Sequence, residues 1–97
     1  MYRFEAELWL HAGDAAWYFV TLPDDVSDDI EARSDGSTRG FGSVRVEVTV
    51  GATTWATSVF PDTKRGAYIL PVKKPVRKSE GLDDGDVVTV ELRLIDS

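Results

Sequence analysis

Between Thr63 and Ser79 the chain carries Lys64, Arg65, Lys73, Lys74, Arg77 and Lys78 and no acidic residue. Clustered cations of this kind are the raw material of an anion site, because guanidinium and ammonium groups bond phosphate or carboxylate oxygens with charge assistance. They stand out in a chain whose net charge is −6. A second cluster has the opposite sign: Asp24, Asp25, Asp28, Asp29 and Glu31. Carboxylates four apart share a helix face. A calcium loop needs a regular ladder of ligands around a glycine turn, and that is missing here. These carboxylates therefore read as a capped, solvated helix whose early acids suit the positive end of its dipole. "DDGD", Asp83 to Asp86, reads as a tight turn whose aspartates bond their own backbone.

Other chemistries have less to work with. His11 is the one histidine. A general base needs a nucleophile and an orienting acid within hydrogen-bond reach, and the sequence marks neither. His11 is read as an exposed residue at a strand end. No Gly-x-Gly-x-x-Gly or phosphate-loop lysine occurs, so no cofactor is expected. The absence of cysteine removes disulfides, thiolate metal sites and cysteine nucleophiles together, and it suits a reducing compartment. The first residues, Met1-Tyr2-Arg3-Phe4-Glu5, contain no apolar signal segment. No apolar run approaches the ~20 residues of a spanning helix. A soluble, cytoplasmic protein without membrane contact is expected.

The elements that must position these groups are mostly strands. Phe4, Ala6, Leu8 and Leu10 alternate with Arg3, Glu5, Glu7 and Trp9, the period-two signature of a half-buried strand. "AWYFVTL", Ala16 to Leu22, is a second strand stopped by Pro23. "PDDVSDDIEARS" is a short helix with Val26 and Ile30 on its apolar stripe. "SDGSTRGFG", residues 34–42, is a polar loop expected to be mobile. "SVRVEVTV" points Val44, Val46, Val48 and Val50 inward. Gly51-Ala52 is a two-residue turn with glycine at the positive-φ corner of type II′. "TTWATSVF" returns and ends at Pro61. "AYIL" ends at Pro71. "KPVRKSEGL" has proline at its start and glycine just past its end, the marks of a one-to-two-turn helix with a Schellman stop. "VVTVELRLI" closes the chain with Val88, Val90, Leu92 and Leu94 inward. The whole reads as one domain over residues 1–97, mainly β, with about six strands and two short helices in a small, mainly antiparallel barrel or sandwich.

Two stretches repeat one order of events: strand, Leu-Pro, short helix, glycine turn, long alternating strand. Leu22-Pro23 corresponds to Leu70-Pro71. The repeat predicts pseudo-twofold symmetry. It also predicts an acidic pole at residues 24–31 opposite a basic one at residues 64–78, because the matched helices carry opposite charge. Such poles favour head-to-tail contacts or steer a charged partner.

The second unit resembles the swapped-hairpin motif of AbrB/MazE-type transcription factors, through Leu70-Pro71, Arg77, Gly81-Leu82 and Gly85-Asp86. Glu80 stands where those proteins usually have an apolar residue, and the interval from Pro71 to Arg77 is longer than theirs. A second resemblance spans nearly the whole chain. It runs through Phe4-x-Ala6-x-Leu8, Trp17-x-Phe19-Val20-x-Leu22-Pro23, Gly42-x-Val44-x-Val46, Trp55-x-Thr57-Ser58, Pro61, Gly66-x-Tyr68-x-Leu70-Pro71-Val72-Lys73, Val76-Arg77 and Gly81-Leu82-x-x-Gly85-Asp86. On these residues the chain is similar to the DUF1905 family of small bacterial domains. The resemblance implies a double-split, AbrB-like β-barrel and brings no established activity. Some relatives carry the domain beside a second module, which implies a role in binding or assembly.

Lys64, Arg65, Lys73, Arg77 and Lys78, with Trp55 and Tyr68, are thus the candidate ligand-binding residues. Arg77 has a structural alternative, pairing with Asp86 or capping carbonyls. Trp17 and Trp55 are read as core, and Trp9, on the charged face of its strand, as the ring most open to a ligand. The expected function is a non-enzymatic binding or protein-interaction module, monomeric or weakly self-associating. Its partner is a protein or a small anionic ligand. One alternative is an AbrB-like DNA-binding domain, although a net charge of −6 disfavours nucleic acid. Another is a ligand-binding or enzymatic barrel with a pocket near Trp55, Tyr68 and Arg77.

Overall fold

The computed structural model describes residues 1–13, 16–34 and 42–95. Most of the loop expected over 34–42 lies outside the described residues. The elements are β1 (Tyr2–His11), β2 (Trp17–Thr21), α1 (Asp24–Ser34), β3 (Val44–Val50), β4 (Thr53–Asp62), β5 (Ala67–Pro71), α2 (Lys74–Glu80) and β6 (Val87–Leu94). The six strands close into an antiparallel barrel in the order β1-β2-β5-β4-β3-β6. Closure satisfies strand edges that an open sheet would leave unpaired.

The two longest strands are each divided between two neighbours. Residues 2–7 of β1 pair with β6, and residues 8–11 pair with β2. Residues 53–59 of β4 pair with β3, and residues 60–62 pair with β5. This division is the double split that the family resemblance implied. The pairing is also symmetric. Exchanging β1 with β4, β2 with β5 and β3 with β6 leaves the strand order unchanged. The register follows the exchange: Leu8↔Val20 answers Pro61↔Tyr68, and Phe4↔Val90 answers Val46↔Thr57. With Leu22-Pro23 matched to Leu70-Pro71, the twofold axis runs through the pair Thr21↔Ile69. The weak sequence repeat is thus a repeat of pairing.

The core is the inner face of this barrel. Leu8, Val20, Val46, Val48, Val59, Leu70, Val90 and Leu92 are buried, each worth roughly 1.5–3 kcal/mol relative to exposure. Val26 and Ile30 of α1 and Val76 of α2 join them. Because β2 and β5 run antiparallel, the helices that follow them leave from opposite ends of the barrel. Each helix is tied to the start of a long strand. The Tyr2 hydroxyl donates to Asp29 Oδ2 of α1, and Thr53 Oγ1 donates to Glu80 Oε2 of α2 at 2.6 Å. The polar residue at position 80 is therefore a helix-to-strand link. Within α1, Ser27 is 3% exposed. Its Oγ accepts the Tyr68 N–H at 3.1 Å and donates to the Leu22 carbonyl at 3.5 Å, which fastens the helix to β5.

The turns follow their residues. Val50↔Thr53 is the last pair before Gly51-Ala52, with Gly51 at φ 58° and no positive φ at Ala52, as a type II′ corner requires. Gly81 ends α2 at φ 64°, ψ 39°, and the Leu82 N–H returns to the Arg77 carbonyl at 2.8 Å, completing a Schellman stop. In the Asp83–Asp86 turn, Asp83 N–H bonds Asp86 Oδ2 at 2.8 Å and Asp84 N–H bonds Asp83 Oδ1 at 3.1 Å. The aspartates do bond their own backbone.

Three expectations change. Pro61 does not end its strand, since β4 runs on to Asp62. Pro61 faces Tyr68, whose N–H goes to Ser27 and whose carbonyl accepts Leu22 N–H at 2.9 Å. No ladder bond is asked of Pro61, and β3 has already ended on its other side, so a missing N–H costs nothing there. Pro71 likewise closes β5 from within, paired with Phe19. Leu10 holds the inward register but is 41% exposed, because at its level β1 has left β6 and the inner face opens at the barrel mouth.

Candidate functional site

The basic run is one stretch of sequence but two places in space. Lys64 and Arg65 sit on the turn before β5, and Lys73, Lys74, Arg77 and Lys78 follow it. Five residues of strand at about 3.3 Å each separate them and put them at opposite ends of the barrel.

The first pair joins the acidic end. The Lys64 N–H bonds Asp62 Oδ1 at 3.0 Å, and Arg65 Nε lies 3.4 Å from Asp62 Oδ2. The Arg65 guanidinium also lies 3.9 Å from the centroid of the Trp9 ring. Beside them a cleft of about 420 Å³ is lined by Ser27, Asp28 and Glu31 of α1 and by Asp62 and Tyr68. Its carboxylates make it anionic. No cluster of three metal-ligating side chains occurs among the described residues. On the same helix, Asp29 is held below the usual carboxylate range, first by the Tyr2 hydroxyl and then by Arg33 at 2.9 Å. Partial burial, and next the bond to Asp29, pushes the Tyr2 phenol up.

The other end is cationic and aromatic. A cleft of about 530 Å³ is lined by Trp17 and Tyr18 of β2, Pro71 of β5, and Lys73, Lys74 and Arg77. The Arg77 guanidinium lies 3.8 Å from the centroid of the Tyr18 ring and donates to the Val72 carbonyl at 2.6 Å. Of the two structural roles considered for Arg77, carbonyl capping is the one observed. Asp86 is engaged with Asp83 instead. Among the described residues, the ion pairs are Arg33–Asp29, Arg65–Asp62 and Arg93–Glu47, and none includes a cation of this end.

The candidate ligand residues therefore divide. Lys73 and Arg77 line the cationic cleft with Lys74, while Lys78 lies further along α2 and Tyr68 lines the anionic cleft. Trp55 lines neither and packs, half-buried, against the core. Tyr68 and Arg77 line different clefts, so among the described residues the pocket expected near Trp55, Tyr68 and Arg77 is not formed by these two clefts.

The tryptophans on the outer face exchange the roles expected of them. Trp9, expected open, lies between Arg65 and Phe19, with its Nε1–H bonded to Thr21 Oγ1 at 2.9 Å. Trp17, expected in the core, is 48% exposed. The register decides this: Leu8↔Val20 turns Val20 inward and so turns Trp17 and Phe19 outward. Val20 and Leu22 are the more aliphatic of the alternating positions, and that signal was available in the sequence. His11 lies edge-on to Trp9 and Phe19 on the same face.

Fold and site together define a small closed double-split barrel with two helices at opposite ends, one carrying an anionic cleft and the other a cationic, aromatic-lined one. The chain belongs to the family described as Domain of unknown function (DUF1905), whose model matches residues 4–92. No curated protein matches the sequence.

Proposed function

We propose that the chain is a non-enzymatic binding or interaction module of the cytoplasm. In this reading the α2 end recognises an anionic partner, either an acidic protein surface or a small anionic ligand. One observation carries it. Lys73, Lys74 and Arg77 converge on one cleft, and no carboxylate among the described residues pairs with them. Lys73 and Lys74 thus keep their capacity for charge-assisted bonds, while Arg77, held by the Val72 carbonyl and the Tyr18 ring, adds its charge to the cleft wall. Lack of cysteine suits a reducing cytoplasm.

Titration of isotope-labelled protein with inorganic pyrophosphate tests the reading by NMR. The expected result is saturable shifts at Lys73, Lys74 and Arg77 that weaken between 20 and 150 mM salt, as about an 8 Å screening length requires. Shifts spread over all exposed cations, or none, would refute it. Duplex DNA binding, the AbrB-like alternative, predicts a retarded band at 50 mM salt that disappears steeply as salt rises.

A further inference from the structure

We infer that the α2-end cleft takes a nucleotide unit, a planar base stacked on Trp17 with its phosphate against Lys73 and Lys74. The inference rests on the reading of this cleft as an anion site and adds the aromatic half of the ligand.

Trp9, Phe19 and Trp17 form a row of rings along the outer face of β1 and β2, with His11 edge-on to the first two. Trp9 and Phe19 are cross-strand partners with centroids 5.1 Å apart and planes tilted by 35°. Phe19 and Trp17 lie two residues apart on β2, with centroids 6.1 Å apart and planes within 10° of parallel. Arg65 closes the Trp9 end of the stack at 3.9 Å. At the other end Trp17 has His11 as its cross-strand partner, and among the described residues no cation or second ring stacks on it beyond Phe19; it is 48% exposed and lines the cationic cleft. An open indole face at the end of a parallel stack offers the next layer to another flat ring, and every nucleobase has such a face.

The charges lie where the phosphate of that layer would fall. The β2–β5 ladder pairs Phe19 with Pro71, and the Val72 N–H donates to the Tyr18 carbonyl at 2.9 Å. Lys73 follows Val72 directly at the start of α2, and Lys73 and Lys74 line the same cleft as Trp17. Arg77 is already committed to the Tyr18 ring and the Val72 carbonyl, so it shapes the cleft wall. At about 530 Å³ the cleft falls within the ~300–1,000 Å³ typical of small-molecule sites. The base thus meets an aromatic face, and the phosphate meets two ammonium groups with no carboxylate paired to them among the described residues.

The test compares adenosine diphosphate, pyrophosphate, adenosine and a hexathymidylate strand by tryptophan fluorescence and NMR. The expected result is that adenosine diphosphate binds about tenfold more tightly than pyrophosphate, the order of gain that base–aromatic stacking supplies. Trp17→Ala should bring the two affinities together by removing that gain, and Trp17→Phe should restore most of the difference. Lys73→Ala together with Lys74→Ala should weaken both ligands. If pyrophosphate binds as tightly as adenosine diphosphate, the stacking inference is overturned while the anion site stands. If neither binds, both fail. Tighter binding of hexathymidylate than of adenosine diphosphate would identify a single strand as the source of the unit, and the reverse would identify a free nucleotide. Trp17 is exposed, so its variants should keep the wild-type melting temperature, and a fall there would show in the same samples.

Discussion

Gly51→Ala tests how α2 is held against the barrel. Gly51 sits at φ 58°, a conformation that costs an alanine roughly 1–2 kcal/mol. A Cβ built there would also run into the Glu80 carboxylate, with Cδ at 2.8 Å. The side chain of Glu80 is flexible and can swing away. Doing so breaks its 2.6 Å bond from Thr53 Oγ1, worth about 0.5–1.5 kcal/mol. The expected destabilisation is therefore about 1.5–3.5 kcal/mol. Gly81→Ala provides the control: φ is 64°, nothing lies within 4 Å of the new Cβ, and only the backbone cost of roughly 1–2 kcal/mol remains. Urea unfolding of Gly51→Ala, Glu80→Ala and the double variant forms a cycle that isolates the link. In the Glu80→Ala background, Gly51→Ala should cost about as much as Gly81→Ala. If Gly51→Ala costs the same with and without Glu80, then Glu80 does not tie α2 to β4 and the reasoning fails.

Ser27→Ala should cost about 1–3 kcal/mol in chemical unfolding, because it strands the buried Tyr68 N–H, and exchange of that amide should accelerate. Leu70→Ala, at a fully buried core position, should lose about 2–5 kcal/mol, and a loss below 1 kcal/mol would mean the barrel interior is not packed as described. Asp29 and Glu47 both have folded-state values lowered by their bonding partners, so each contributes stability above the ordinary carboxylate pKa that is lost as pH falls through the folded value. Wild-type protein should therefore lose stability more steeply below about pH 4 than Asp29→Asn, and parallel pH–melting curves would contradict this. Tyr2 has a raised folded-state value, so its contribution is complete below about pH 10 and fades as pH rises through that value, an effect Tyr2→Phe should abolish in alkaline melting curves.

Much of the fold was legible because its signals are local. The alternation in Val44–Val50 and Val88–Leu92 marked strands whose inner residues are the ones buried, and Leu94 packs half-buried against them. Pro75 with Gly81 bracketed α2, and Gly51 marked its hairpin corner. The Leu-Pro repeat anticipated a twofold that the register then displays. Residues whose role depends on what lies across from them were not legible. Pro61 stays inside a strand only because Tyr68 sends its hydrogen bonds elsewhere. Glu80 is accommodated because Thr53 reaches it.

The sequence by itself determined the elements, their turns and the two opposite helix charges, since periodicity and turn chemistry act over a few residues. Tertiary structure alone decided how the charges and rings are shared out. A basic run that reads as one segment is cut by β5, which carries Lys73, Lys74 and Arg77 to one end of the barrel and leaves Lys64 and Arg65 beside Asp62 at the other. Strand register then set Trp17 outward beside those three cations and put Trp9 under Arg65. Both outcomes depend on which strand lies alongside which, a long-range choice that no local pattern encodes.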